Sequence, residues 1–403
     1  MIRAETPGSV VLNGASSLDI NAPYVTVDGL FFHNGALAHG SVIAFNSHHG
    51  IVSNTAIIDY NPAAFDTRYY WVYFTGDHNL LDQCYFKGKN NAEPLVGNDN
   101  THTARYNAVT RCYFKDIPYA DANGREILRI WGYGKNGELG DDGAFFTIEG
   151  NLFDHADGEG SEIISLKSNR NIVRRNTVIA TRGCINIRQG NYNTVEDNII
   201  LGQDIPRAAG LRMSGQHNTV RNNFVSRCDH GIVVSCGDYF EADLTGHYKT
   251  HAAKSKSVKK SDLGISAKYA QNKFLTLTGN VVIESKNLDL EIGAAYKKHW
   301  PESQMVLLPE ECRIENNRFV RAQDGISVAG TIPESAAPLD RFSFKPNTYG
   351  GNVIVGGEDS YAPSSSGFKI EPLPKDWSEA QELAKFKPLT PADVGPQWLA
   401  RDR

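Results

Sequence analysis

The chain has 403 residues, a formal net charge of −5, 40% hydrophobic residues, 37 glycines and 3 methionines. That length suits one long repeat domain or two ordinary ones, and the Gly-rich, Met-poor composition suits an all-β protein full of turns. No apolar run approaches the roughly 20 residues of a membrane-spanning helix, and the acidic balance gives no global reason to expect a nucleic-acid or membrane partner.

The chain opens MIRAETPGSVVL, which reads as strand, turn, strand, and no signal-peptide pattern is visible in it. The expectation is that the natural N-terminus, with any export signal, has been removed; the alternative is that the chain simply starts there. Short alternating runs follow through residue 80, among them LDINA, VTVDGLFFHNG and YYWVYFTG. An apolar residue followed three positions later by Asn or Cys then recurs: Ile51 to Asn54, Leu81 to Cys84, Val109 to Cys112, Ile148 to Asn151, Val173 to Asn176, Val195 to Asn198, Val220 to Asn223, Leu277 to Asn280, Ile314 to Asn317 and Tyr349 to Asn352. Short strands at a period above 20 residues predict an all-β right-handed parallel β-helix, a single-stranded solenoid with loop insertions. One rung cannot bury its inner face alone, so neighbours complete the core. An inward Asn at a turn can bond its amide to the next rung.

The long intervals mark loops at 87–106, 133–143 and 235–272. The last holds KTHAAKSKSVKKSD, which reads as a solvated loop or, alternatively, one overhanging a binding face. The solenoid is predicted over 1–371, and residues 372–403 read as a strap along the rungs with one short helical segment. None of the six cysteines forms a CxxC pair, which argues against zinc. Cys84 and Cys112 stand at Asn positions of the repeat and are predicted to be small buried residues, while Cys228 and Cys236 are the candidates for a disulfide.

Alternation within strands predicts that Ile185 and Ile187 point inward and Asn186 and Arg188 outward. Likewise Arg212 lies between Leu211 and Met213, Arg129 lies between Leu128 and Ile130, and Lys167 follows IISL. Rungs stacked in register would make Arg129, Lys167, Arg188 and Arg212 one ladder of like charge. Such a ladder fits an acidic linear polymer; the alternative is salt bridging to neighbouring acids. Arg212, His217 and Lys89 are candidates for holding sugar carboxylates. His217 serves equally as a turn residue, and Arg129 as a structural one. Glu159, Glu162 and Asn123 stand beside the ladder as oxygen ligands suited to Ca²⁺. Glu162 and Lys167 are an odd five residues apart, so a bulge must intervene if both reach one site.

At this point EIISLKS, INIRQG and AAGLRMSGQHNTVRNN, with RAETPGSVVLNG, CYFKGKNN and NGREILRIWG outside them, resemble polysaccharide lyase family 6, the alginate lyases and chondroitinase B, over about residues 2–320. AGLRMSGQHN is more similar to the alginate-lyase members. The resemblance implies a parallel β-helix that cuts a uronate polymer by β-elimination, with Lys167 removing the C5 proton and Arg188 assisting the leaving oxygen. It implies Ca²⁺ on Asn123 and two glutamates. The family's Glu-x-Glu is Glu159-Gly160-Ser161-Glu162 here, and some members work without calcium, so weak or no calcium dependence is expected. Gln189 replaces the family's usual His after the catalytic Arg. By the resemblance, the family's first rungs and N-terminal cap are expected to be missing from this chain, and a secreted or periplasmic location is implied.

The chemistry is coherent. A proton α to a carboxylate is very weakly acidic, so elimination needs a cation on the carboxylate, a base, and a donor for the leaving oxygen. A lysine is a poor base unless nearby positive charge disfavours its proton, and Arg188 on an adjacent rung supplies such charge. The substrate reading is alginate; the alternatives are dermatan or chondroitin sulfate, or a non-catalytic β-helix that binds acidic polysaccharide. An acid/base hydrolase using Asp154 and Asp157 is a further alternative that no spacing favours.

Overall fold

The computed structural model describes residues 1–99, 103–134, 138–238, 269–294, 305–331, 344–361 and 367–399. Most of the 235–272 insertion, including its basic run, lies outside the described residues. Each rung contributes one short strand to each of three parallel sheets, which hold 12, 13 and 12 strands among the described residues. The first sheet starts with Ile2–Arg3, the second with Val10–Gly14 and the third with Leu18–Ile20, and strands of successive rungs are neighbours throughout. The fold is a right-handed parallel β-helix, as the repeat predicted.

The turns explain the repeat. At the corner between the first and second sheets, a residue with left-handed φ comes immediately before an inward one. Gln83 (φ 49°), Arg111 (51°), Arg175 (54°), Asp197 (55°), Asn222 (55°) and Asn316 (57°) precede Cys84, Cys112, Asn176, Asn198, Asn223 and Asn317. The left-handed residue reverses the chain direction and turns the next side chain into the core. Each such Asn then closes a ladder. Asn198 donates to the Val173 carbonyl at 3.0 Å and to Asn223 Oδ1 at 2.9 Å, while its own Oδ1 accepts from the Asn176 backbone N–H and side-chain amide. The same pattern runs from Asn151 to Asn352. It satisfies backbone groups that would otherwise be buried unpaired.

Cys84 and Cys112 occupy this column, fully buried, as predicted. In the first rungs the register differs from the expectation by one. Val52 pairs with Leu81, so Thr55 is the inward residue, and Asn54 is the left-handed residue before it (φ 48°). All six cysteines are buried and free, so Cys228 and Cys236 do not pair. Each lies on a different corner of the core and bonds carbonyls: Ser226 for Cys228, Gly293 for Cys236.

Residues 372–399 run back along the outer face of the second sheet. Trp377, Leu383 and Phe386 pack on Ile199, Phe224 and Val320; further along, Trp398 and Leu399 pack on Ala56, Tyr85 and Tyr113. Its one α-helix, Glu379–Leu383, starts at Ser378 with a capping box closed by Gln381. The strap covers the second sheet and leaves the outer face of the third available.

The ladder yields a stability prediction. Asn198→Ala removes the side-chain groups that bond the Val173 carbonyl and the Asn176 backbone N–H and amide, and each buried orphan costs about 1–3 kcal/mol. A fall of about 3 kcal/mol in unfolding free energy is expected from urea titration; a variant within 0.5 kcal/mol (roughly the scatter of surface substitutions) would contradict the role given to the ladder.

Candidate active site on the third sheet

The Glu162–Lys167 and Gly183–Gln189 strands carry Lys167 and Arg188 side by side on the third sheet. Their pairing is irregular at two places. Glu162 pairs with Cys184 but Ile164 with Ile185, and Leu166 pairs with Ile187 but Lys167 with Gln189. The first irregularity is the bulge required to bring Glu162 and Lys167 to one site. The second makes Arg188 the extra residue of its strand, next to Lys167 rather than directly opposite it.

The register also divides the expected ladder. Arg129, Ser165, Asn186 and Arg212 form one row across the rungs. Trp131, Lys167 and Gln189 form another. The four cations therefore share a face but not a column. Three of them are also paired with acids, the alternative weighed above. Lys167 Nζ bonds Glu126 Oε1 at 2.9 Å, Arg188 bonds Glu162 Oε1 at 3.0 Å, and Arg129 lies 3.5 Å from both Glu93 and Glu126. Those acids come from neighbouring loops and strand starts, which is why the strands themselves looked poor in carboxylates.

Glu126, Glu159 and Glu162 form a buried cluster, each offering a carboxylate oxygen within 4.8 Å of the others. Glu126 is the residue that sequence reasoning missed. Leu128 pairs with Ile164, and continuing that register two residues back sets Glu126 beside Glu162, a placement that only the strand pairing reveals. Asn123, exposed in the turn before it, is three residues away in the chain. Glu159 Oε2 accepts from the backbone N–H groups of Gly124 at 2.7 Å and Arg125 at 3.2 Å. Burial, then the Glu126 charge, raise its pKa to about 7 against the opposing pull of these amides. Burial also pushes Glu162 upward, but Arg188, Lys167 and its hydrogen bonds more than offset that and hold it below the usual carboxylate range. Asn186 donates to Glu162 at 2.6 Å. Two buried oxygens here, Glu126 Oε2 and Asn186 Oδ1, accept no hydrogen bond.

Aromatic rings hold the cations. Lys167 Nζ sits 4.7 Å from the centre of the Trp131 ring. The Tyr269 ring lies 5.0 Å from the Arg188 guanidinium carbon and 5.3 Å from that of Arg212. Arg129 donates to Tyr70 Oη at 2.8 Å as well as contacting Glu93, so it is built into the wall of the site.

Two candidates lie elsewhere. Lys89 is 2% exposed, and its ammonium bonds Asn91 Oδ1 and the Glu93 carbonyl inside its own loop. Burial and the Arg125 charge push its pKa well down. It therefore braces the loop that carries Glu93 instead of facing a ligand. His217 stacks between Tyr192 (4.8 Å) and Phe274 (4.6 Å) at the corner after the third sheet, in the left-handed position (φ 56°). Asp154 belongs to the second sheet, bonded to Tyr113 and His155, and Asp157 caps the Arg182 backbone N–H. These two acids do not face the Lys167 site, which removes the hydrolase alternative.

The raised Glu159 pKa sets a direction for stability. Its folded value lies above the unfolded one, so its contribution is complete below about pH 4.5, the ordinary carboxylate value, and is lost as pH rises through about 7. Glu159→Gln keeps an acceptor for both amides and stays neutral. With chelator present, the variant is expected to melt near the wild-type temperature at pH 4.5 and above it at pH 8. An equal shift at both pH values would refute the electrostatic account.

Comparison with known proteins agrees with this fold. A family model described as Chondroitinase B matches residues 1–328. A polysaccharide lyase of family 6 from Pseudopedobacter saltans is 41% identical, with TM-score 0.81 over 98% of this chain and 88% of its own. At 22% identity, a mannuronic-acid-specific family 6 lyase from the human gut microbiota shares the fold at TM-score 0.77, covering 98% and 84% of the two chains. The alginate lyase AlyGC, 24% identical, does so at TM-score 0.79, covering 98% of this chain and 52% of AlyGC. No curated protein matches. A β-helix with this family match and this degree of identity belongs to polysaccharide lyase family 6, whose members are lyases acting on polysaccharides.

Proposed function

We propose that this protein cleaves alginate by β-elimination, with Lys167 as base and Arg188 as the group that stabilises the leaving oxygen. The observation that carries the reading is the shared geometry of these two side chains. They stand on adjacent strands, each tied to a different carboxylate of one buried cluster. Glu126 and Trp131 together fix the Lys167 ammonium from below. In the reaction Lys167, once its ammonium has released a proton to solvent, takes the proton from C5. The C–H electron pair forms the C4–C5 double bond, the C4–O bond breaks, and the glycosidic oxygen leaves with the electron pair of that bond and is protonated from solvent. Burial would lower the pKa of Arg188, but Glu162 and Tyr269 more than offset this. The guanidinium keeps its charge and acts mainly by stabilising the departing oxygen. Arg212, on the neighbouring rung, holds the carboxylate of the adjoining sugar, and Gln189, opposite Lys167 in the register, faces the sugar being cleaved. Alginate is favoured over dermatan or chondroitin sulfate by the AGLRMSGQHN stretch and by the alginate lyases among the structural relatives. An extracellular or periplasmic site of action follows from that substrate.

The donor set fits a hard divalent cation. Glu126, Glu159 and Glu162 supply three carboxylates, and the unsatisfied Glu126 Oε2 and Asn186 Oδ1 add oxygen donors. Asn123 is a further candidate ligand on the same turn. Bound Ca²⁺ would neutralise the substrate carboxylate and so acidify the C5 proton. With Glu126 in place of the ligand that the shifted Glu159 to Glu162 spacing put in doubt, we infer that calcium contributes to turnover.

Digestion of alginate by the wild type is expected to raise ultraviolet absorbance as unsaturated ends form. Lys167→Ala should lower that rate at least 10³-fold, about 4 kcal/mol of barrier, in a variant whose circular dichroism at the assay temperature matches the wild type. Absence of unsaturated product on polymannuronate, polyguluronate, mixed alginate and dermatan sulfate would overturn the reading. Chelation should lower the alginate rate more than tenfold, with recovery on adding Ca²⁺, and Glu126→Gln should weaken the calcium response. Full activity in chelator would show that protein groups alone suffice.

A further inference from the structure

Resting on the lyase reading, the pocket beside the reacting site deepens it. A cavity of about 370 Å³ opens on the third sheet on the C-terminal side of Arg188, between the Gly183–Gln189 strand and the Leu290–Ala294 strand. Gly160, Ala209, Gly210 and Ala294 leave it room, and Arg207, Arg212, His230 and Glu291 supply its charged and polar groups. Gly160 has left-handed φ (70°), and a Cβ there would collide with the Tyr119 ring at 2.7 Å.

The cations of this pocket differ from those of the reacting site. Lys167, Arg188 and Arg129 each have a carboxylate within 3.5 Å. Among the described residues, neither the Arg207 nor the Arg212 guanidinium forms an ion pair. Arg212 donates from Nε to Ser235 Oγ at 3.2 Å and lies over Tyr269. Arg207 donates to Tyr119 Oη and lies over that ring, 5.4 Å from its centre. Its backbone N–H, not its guanidinium, meets the Asp229 carboxylate, and Arg182 on the same tyrosine is already paired with Asp157. Two guanidiniums oriented by neutral rings and left without counter-charge on one cavity form an anion site. Glu291 stands two strands beyond Arg212 in the same row, about 10 Å at the usual strand spacing. It marks the far end of the cavity as repulsive to a second negative group.

We propose that Arg207 and Arg212 bind the anionic group of the sugar next to the one being cleaved, with Arg207 a specificity-determining residue. A polymer bearing a carboxylate on every sugar fills both positions. An alternating polymer offers an anion there only if its intervening sugar is sulfated.

The test measures binding and turnover separately. Calorimetry in a Lys167→Ala background follows an alginate pentasaccharide, dermatan sulfate and unsulfated chondroitin, with Arg207 intact or changed to Gln; turnover is followed with Lys167 restored. Expected is at least a fivefold loss of pentasaccharide affinity with Arg207→Gln, a shallower dependence of affinity on salt, and a raised KM with kcat within twofold. Arg207→Lys should recover part of the affinity. Tighter binding of dermatan sulfate than of the pentasaccharide would assign the subsite to sulfate in place of carboxylate and overturn the uronate specificity. Unchanged affinity and salt dependence in Arg207→Gln would overturn the proposal whether or not the wild type turns over. Affinity lost on mutation, in a protein that forms no unsaturated product, would support the subsite and sink the lyase reading instead.

Discussion

The left-handed residue at each corner, followed by an inward Asn, Cys or Thr, is the constraint on which the rest of the molecule depends. It turns the chain at a set point and pins each rung to the next through side-chain amides. Because strand register has a period of two, a slip of one residue would exchange core and surface on every strand. With the corner pinned, Ile185 and Ile187 stay inside, Asn186 and Arg188 stay outside, and loops of any length can be inserted between corners without moving either set. The face that carries Lys167 and Arg188 is a consequence of that register, modified where two irregularities in strand pairing re-aim Glu162 and Arg188.

Those two irregularities gather opposite charges that water would otherwise keep apart. Three carboxylates are buried together, and the energetic conflict among them shows in their different responses. Glu162, next to Arg188 and Lys167, is held ionised, whereas Glu159, facing Glu126 with only backbone amides for support, is driven toward protonation. A cluster in this condition gains by taking up positive charge, whether a proton or a cation. The same acids hold Lys167 and Arg188 in place before any substrate arrives, which reduces the reorganisation left for the reaction itself.

Much of this was legible in the sequence, because a repeat writes its geometry many times over. The Asn column, the buried Cys84 and Cys112, the outward Arg188 and the need for a bulge after Glu162 all follow from spacing alone. What was not legible depends on contacts between distant segments. Glu126 was hidden because its role comes from a register shared with Glu162 across a whole rung. Lys89 looked like a surface cation because nothing local shows that the carbonyls of Asn91 and Glu93 fold around its ammonium. Asn54 looked like a ladder residue because it precedes the true one by a single position, and Thr55 lacks the amide that marks the later rungs.

The treatment of positive charge separates two tasks on one sheet. At the proposed reacting site, each cation is countered by a carboxylate, so position is held and net charge is kept low until a substrate or metal alters the balance. At the proposed gripping subsite, Arg207 and Arg212 rest on tyrosine rings that orient a guanidinium without neutralising it. An anion arriving at the second place loses hydration but displaces no resident carboxylate, whereas one arriving at the first must compete with Glu126 and Glu162. On this proposal the gripping subsite favours binding first, and affinity gained there offsets the cost of separating the ion pairs at the proposed reacting site.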